Sequence, residues 1–327
     1  MFFALTEDQQ EFGAAVRGYL AERFDLAAVR GVVEDTDGDG NPATLWKAAG
    51  EQGWLAVTVP EEFDGLGLGL VEAQVIARAL GAGVAPGPWR GTVLAAEAIR
   101  LAGTDEQKAT WLPRLAAGTA VGALAADRTL AVVEYGAIAD VVVTPDGLLV
   151  TGASSTPRGS YDGTVRLADL TGGTVEELAA APEIRSRAAV LVAADLVGIA
   201  REALTRTVAY DRERRQFGVP VGSFQSIKHT LADLHCTITM AEHAALYAAH
   251  AVEVGAEDAP LAVAVAKAKA GDAAVASTGA MIQYHGGIGY TWEHEAHLFY
   301  KRAKRLAGQW GDSATHRARI AELTMGG

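Results

Sequence analysis

Between residues 188 and 254 two long apolar periodicities are separated by one short break, and that break limits the possible folds more than any other stretch. From Ala188, apolar Val192, Leu196, Ile199, Ala200, Leu204 and Val208 fall on one face, with Arg201, Glu202 and Thr205 mostly on the other. This is the 3.6-residue repeat of a helix with one buried stripe. Gly218 can take a left-handed cap and Pro220 cannot continue a helical ladder, so the helix is expected to stop near Phe217. A second helix restarts near Ser223 and turns Ile227, Leu231 and Leu234 inward. The join is a tight helix-loop-helix corner carrying Arg212, Arg214 and Arg215, followed by Gln225. Guanidinium forks beside an amide suit a phosphorylated ligand or a carboxylate partner. Arginines at a helix end also serve simply to answer the C-terminal dipole or to face water.

The rest of the chain divides by periodicity. Thr6 followed three residues later by Gln9 is a capping box opening an amphipathic helix with Phe12, Val16, Tyr19 and Leu20 inward. An Asp- and Gly-rich loop, Glu34 to Pro42, precedes a helix through Trp46. Gly53 to Val59 reads as short strand or extended chain leading into a glycine-paced loop ending at Gly69. Helices follow over Val71 to Leu80 and Thr92 to Ala102, and Thr104 with Gln107 caps another. From Val121 to about Ala181 the pattern changes to short β-rich runs, with four or five strands near Leu130, Asp140, Gly147 and Thr164. Four long helical stretches then suit a four-helix bundle: Ala188 to Phe217, Ser223 to Val254, Ala259 to His285, and Glu295 to Leu323. The expected fold is mainly α, with an N-terminal helical domain over 1–120, a shortened β domain over 121–181 and a C-terminal bundle over 182–327. Apolar faces left outside such a bundle normally pack against other subunits.

A net charge of −12 over 327 residues argues against a nucleic-acid surface, which needs a basic face. The single cysteine, Cys236, excludes an internal disulfide, fits a reducing cytoplasm and reads as a small core residue. The N-terminus has acidic residues where a signal peptide has Lys or Arg, and no apolar run is long enough to span a bilayer. The expected location is cytoplasmic.

Specific letters sharpen the picture. Arg214-x-x-Phe217-Gly218-x-Pro220-x-x-x-Phe224-Gln225, with Leu231-Ala232-Asp233 after it, resembles the C-terminal signature of the acyl-CoA dehydrogenase family. Gln283-Tyr-His-Gly-Gly-Ile-Gly-Tyr290-Thr-Trp-Glu293 resembles that family's glycine loop. Pro60 to Gly69 resembles its N-terminal "P-E-x-x-G-G-x-G" passage with Asp64 in place of the first glycine, and Gln107 to Pro113 resembles "Q-K-x-x-x-L-P". The resemblance covers nearly the whole chain. It implies an FAD cofactor, an acyl-CoA substrate, and two blocks that reach across a subunit interface to the adenosine and pyrophosphate half of a neighbour's flavin. Residue by residue, those contacts fall on Arg214, Phe217, Gln225, Gln283, Gly286 and Gly287; His285 stands inside the second block, either touching the adenosine side or packing as a helix-end imidazole.

The chain departs from the family where the chemistry is done. Counting on from Gln283, the catalytic carboxylate falls at Trp310, and the alternative position at the start of the first bundle helix falls at Ala188, followed by Ala189 where an arginine is common. Nothing in Ala123 to Val133 resembles the family's flavin-lining passage. Dehydrogenating a thioester needs a base and a hydride acceptor in reach of the same two carbons, so the chain lacks the reacting end of the site. The implied role is the short subunit of an α2β2 acyl-CoA dehydrogenase that completes a longer homologue's FAD site, on a steroid side-chain or ordinary acyl-CoA ester. The alternatives are a non-catalytic scaffold of the same fold and a self-sufficient homotetramer using Asp312.

Other residues invite blander readings. His229, His235, His243 and His250 share one predicted helix but are spaced too far apart for one metal ion and carry no Glu-x-x-His pair, so they are expected to cap or face solvent. Glu293 is expected to pair with Arg302 or Lys301. The run Lys301, Arg302, Lys304 and Arg305 could contact CoA phosphates and otherwise reads as a solvated helix face.

Overall fold

The computed structural model describes residues 4–326. Helix α1 (Glu7–Arg23) opens on Thr6, whose hydroxyl accepts the Gln9 N–H at 3.2 Å while Gln9 Oε1 accepts the Thr6 N–H at 2.9 Å. Val16 and Leu20 are buried; Phe12 and Tyr19 are half-buried. Helices α2 (Leu26–Glu34) and α3 (Ala43–Glu51) follow, and the Trp46 indole donates to the Gly118 carbonyl at 2.9 Å.

The stretch after Gly53 is not a strand. It winds through successive turns, passes a 3-10 turn at Glu61–Phe63 and is stitched back on itself by Leu66 N–H to Ala56 O and Leu68 N–H to Val57 O. Left-handed residues at Gly53 (φ 74°) and Asp64 (φ 62°) bend the chain before a ladder can extend. Asp64, standing where the family motif has glycine, takes the same left-handed conformation, which Asp tolerates better than most side chains.

Helices α4 (Leu70–Ala82), α5 (Trp89–Ala102) and α6 (Asp105–Ala116) follow, α6 behind a second capping box from Thr104 and Gln107. The β-rich region forms seven strands in two sheets. One sheet runs β1 (Gly122–Leu124), β3 (Val141–Thr144), β4 (Leu148–Thr151), β7 (Thr174–Glu177), with β1 and β3 parallel and the other pairs antiparallel. The other runs β2 (Val133–Glu134), β6 (Leu167–Thr171), β5 (Ser154–Arg158), all antiparallel. Ala123, Leu130, Val133, Val142, Val150 and Leu170 belong to one buried apolar cluster.

Five helices complete the chain: α7 (Glu183–Glu213), α8 (Gln225–Glu253), α9 (Ala259–His285), α10 (Ala296–Gly308) and α11 (Ser313–Met325). Helix α9 runs over the expected residues, with Pro260 in its first turn and Gly286 at its C-cap. Two expectations fail here. The first bundle helix stops at Glu213, four residues before Phe217, and the last is two helices because Trp310 and Gly311 both take positive φ (56° and 97°). Among the described residues no helix is long and apolar enough to cross a membrane.

The chain forms two compact units. One comprises residues through Leu26, Gln74–Ala85 and everything from Ala189; the other comprises Ala27–Ala73 and Pro86–Ala188. In the first, Arg302 is buried and forks onto Asp195, Nη2 to Oδ2 at 2.7 Å and Nε to Oδ1 at 3.2 Å, and also donates to the Ala85 carbonyl at 2.8 Å. The basic run is therefore not one solvated face. Lys301 lies over the Trp292 ring at 4.1 Å. Cys236 is exposed, correcting its reading as a core residue: it lies off the α8 stripe that buries Leu234 and Ile238.

Candidate functional site

The corner is built by a small hairpin. After α7 ends, β8 (Arg215–Gln216) pairs antiparallel with β9 (Val219–Pro220), leaving Phe217 and Gly218 as a two-residue turn. Both turn residues have positive φ, 53° and 81°, the combination of a type I′ turn, whose twist matches paired strands. Gly218 is thus left-handed as expected, in a hairpin and not in a helix cap. Arg214 anchors the hairpin through its backbone: its N–H donates to Tyr210 O, and its carbonyl accepts the Val221 N–H, each at 2.8 Å. Its side chain is left in solvent, as are those of Arg212 and Arg215. Phe217 stands 92% exposed, edge-on to Phe224 at 6.2 Å between ring centres.

Gln225, exposed, is the first residue of α8. No side chain caps that helix: its N-cap is Phe224, which has no acceptor, and the preceding Ser223 hydroxyl donates to the Pro220 carbonyl at 2.6 Å. An uncapped helix start carries partial positive charge and free N–H groups, a fitting surface for an anion.

The second block sits at the end of α9. Gly286 closes the helix at φ 66°, ψ −142°, backbone that side-chain-bearing residues avoid. A Cβ built on Gly286 or Gly287 would meet nothing of this chain within 4 Å. Packing within the chain therefore does not explain the bareness of Gly287, which leaves its backbone open to close approach by another group. Gln283 is exposed, and its carbonyl accepts the Gly286 N–H. Beyond, Tyr290 is 89% exposed and Trp292 is also exposed.

One contact ties the blocks together. The Tyr210 ring at the end of α7 stacks on His285 at the end of α9, 4.4 Å between centres, and His294 also packs on the His285 ring at 4.4 Å. Arg214, Phe217, Gln225, Gln283, Gly286 and Gly287 consequently share one end of the helical unit. His285 is a packed helix-end imidazole: its Nδ1 donates to Met281 O at 2.7 Å, and burial holds its pKa below the ordinary value. Beneath the corner, Asp211 is buried with neither carboxylate oxygen hydrogen-bonded, and burial pushes its pKa up to about 6. Gly222 packs over it; a Cβ there would come within 3.0 Å of the Asp211 carbonyl.

Trp310, which is not ionisable, stands where the family's carboxylate is expected, and its loop is held by three hydrogen bonds. His316 Nε2 donates to Trp310 O at 3.0 Å, and the fully buried Lys267 donates to Ala307 O at 3.0 Å and Gly311 O at 2.8 Å. Asp312 is the N-cap of α11, Oδ1 accepting the Thr315 N–H at 2.8 Å and its hydroxyl at 2.7 Å, bonds that keep its pKa below the ordinary value. A carboxylate held in that way is a poor proton acceptor. Burial brings Lys267 down to about 8, opposed by the Asp312 charge. Ala188 and Ala189 are buried and carry no ionisable group.

Sequence reasoning missed Lys267, Asp211 and Asp195. Lys267 interrupts the apolar run Leu261 to Ala270, and that interruption was the available signal. Of the four α8 histidines, His229 and His243 are exposed, while His235 Nδ1 meets Arg201 Nη1 at 3.0 Å. Among the described residues no group of three or more His, Cys, Asp or Glu side chains is placed to hold a metal.

The chain is similar to known proteins along nearly its whole length. Residues 6–119 match the model of the acyl-CoA dehydrogenase N-terminal domain and residues 185–325 that of its C-terminal domain. "Acyl-CoA dehydrogenase IpdE2" of Mycobacterium tuberculosis is 38% identical over 301 residues, 91% of each chain. A chain of the Tcur3481-Tcur3483 steroid ACAD superposes with a TM-score of 0.88 at 27% identity over 98% of both. A chain of the ChsE4-ChsE5 complex from Mycobacterium tuberculosis shares the fold at a TM-score of 0.88 and 24% identity over 99% of both. With both end domains matched and a relative this similar along nine-tenths of its length, the chain belongs to the acyl-CoA dehydrogenase family of oxidoreductases.

Proposed function

We propose that this chain is the short subunit of an α2β2 acyl-CoA dehydrogenase acting on a steroid-type acyl-CoA ester. A longer homologous partner holds the thioester and the reacting end of FAD. Arg214, Phe217, Gln225, Gln283, Gly286 and Gly287 of this chain close over the adenosine and pyrophosphate end. FAD supplies the acceptor for the hydride removed from the acyl chain. This chain's own part is to bind and orient: guanidinium and helix N–H groups meet phosphate oxygens, bare glycine backbone lets the diphosphate approach, and the exposed aromatic rings cover it.

The observation that carries the reading is the contrast between two loops of one unit. The nucleotide-side residues are all present and outward-facing, whereas Trp310 fills the base position and Asp312 is committed to capping α11. The relative described as a steroid ACAD and the neighbour described as a two-component complex support the substrate class and the assembly.

Co-purification with a longer homologue that keeps the catalytic carboxylate tests this. The expected product is a heterotetramer with one flavin per pair of unlike chains, active on acyl-CoA. Arg214→Ala should lower flavin content by at least about tenfold in affinity, the worth of one charged phosphate contact. Unchanged flavin in that variant favours a scaffold role. An isolated homotetramer with full flavin that oxidises acyl-CoA by itself refutes the proposal.

A further inference from the structure

A second polar site lies well away from this corner. Helices α1, α4 and α8 of one unit enclose a cleft of about 350 Å³. Glu242 on its wall is 17 residues along α8 from Gln225, about 25 Å at the helical rise. Gly13 lets α1 come close: a Cβ there would meet Val75 Cγ1 at 2.7 Å.

The cleft is unevenly charged. Arg17 and Arg78 both line it, and among the described residues Arg17 makes no ion pair. Glu242, the carboxylate nearest Arg78 at 3.9 Å, is already gripped by Arg201 at 2.6 and 3.0 Å. On its far side Arg17 borders a second cleft with Asp25 and Glu202, but Glu202 accepts from Arg206 at 2.8 Å. Arg17 is exposed overall, and the partial desolvation of its guanidinium, followed by the neighbouring Arg78 charge, holds its pKa below the ordinary value. Such an excess is unusual in a chain of net charge −12.

A second observation is independent of charge. Gln74 is 3% exposed, lines the cleft, and its Oε1 is buried with no hydrogen-bond partner. An unpaired buried amide is costly, and a half-turn of the amide offers the site either an acceptor or a donor. The rim glutamines are already engaged: Gln9 caps Thr6 and Gln10 donates to the Leu5 carbonyl. Leu5, Val75 and Leu246 supply apolar wall.

We propose that this cleft binds a short-chain carboxylate, its oxyanion held between Arg17 and Arg78 beside the Gln74 amide and its hydrocarbon arm against Leu5, Val75 and Leu246. Two guanidiniums and an amide around an apolar slot match that chemistry better than a bare inorganic ion, which would leave the slot unused.

The test is calorimetric titration of the assembled protein with hexanoate, and separately with inorganic phosphate. Hexanoate should bind saturably and more tightly than phosphate, weakening with added salt. Arg17→Gln should weaken it at least about tenfold, the loss of one charge-assisted contact. Gln74→Leu should raise the melting temperature of the ligand-free protein, by removing an unpaired amide, and also weaken hexanoate. Acyl-CoA turnover should be unchanged in both variants. Hexanoate binding that survives Arg17→Gln, no binding, or phosphate binding as tightly as hexanoate would each overturn the proposal.

Discussion

Replacing Asp211 by Asn should stabilise the protein at neutral pH, which is the reverse of what removing a buried charge partner does. Asp211 is 1% exposed, both its oxygens lack a partner, and its pKa is raised from 3.8 to about 6. A shift of that size converts to about 3 kcal/mol in full. The carboxylate lies near the exposed end of α7, where solvent screens part of the penalty, so about 1–2 kcal/mol is expected. Because the folded state binds this proton more tightly than the unfolded chain, the carboxyl's favourable contribution is present below about pH 4 and lost as pH rises through about 6. Urea unfolding of wild type and Asp211→Asn from about pH 4 to about pH 8 should therefore show curves that separate through that window, with Asn the more stable above it. Parallel curves, or a less stable Asn variant at neutral pH, would refute the claim that the carboxylate is buried without compensation.

Asp195→Ala removes the carboxylate that Arg302, 6% exposed, forks onto; a loss of about 3–5 kcal/mol in denaturant unfolding is expected, most of it recovered if Arg302 is also replaced by Met. Lys267→Met leaves the Ala307 and Gly311 carbonyls without donors, so a loss of about 1–3 kcal/mol should come with a change in Trp310 fluorescence as its loop relaxes. Gly286→Ala forces a side chain onto backbone at φ 66°, ψ −142°; about 1–3 kcal/mol of strain is expected, with lowered flavin content in the co-purified complex.

Where local chemistry decides, the sequence was legible. Both capping boxes form as Thr6 with Gln9 and Thr104 with Gln107 indicate, because the bonds span only three residues. Helix α9 runs between Pro260 and Gly286 for the same reason. The corner was found through its arginines, glycine and proline, but its hairpin was not, since Phe217 in a left-handed conformation has no strong local signature. The break before α11 escaped notice similarly: Asp312 was weighed as a base, and its letters serve equally well as an N-cap.

The residues alone located most of the helical segments, the β-rich region that interrupts them, and the two blocks that resemble the family's motifs. Tertiary structure decided which of those residues are free to act. Arg302 looked like a member of a basic run and Lys267 like a break in an apolar one, until the fold gave them distant partners: Asp195, 107 positions earlier, and carbonyls 40 and 44 positions later. Asp211 adjoins the corner's arginines in sequence, yet the fold buries its carboxylate without a partner. Burial is a sum over elements far apart in the chain, so a charge's solvation, and with it its pKa and its availability, is set only when those elements meet.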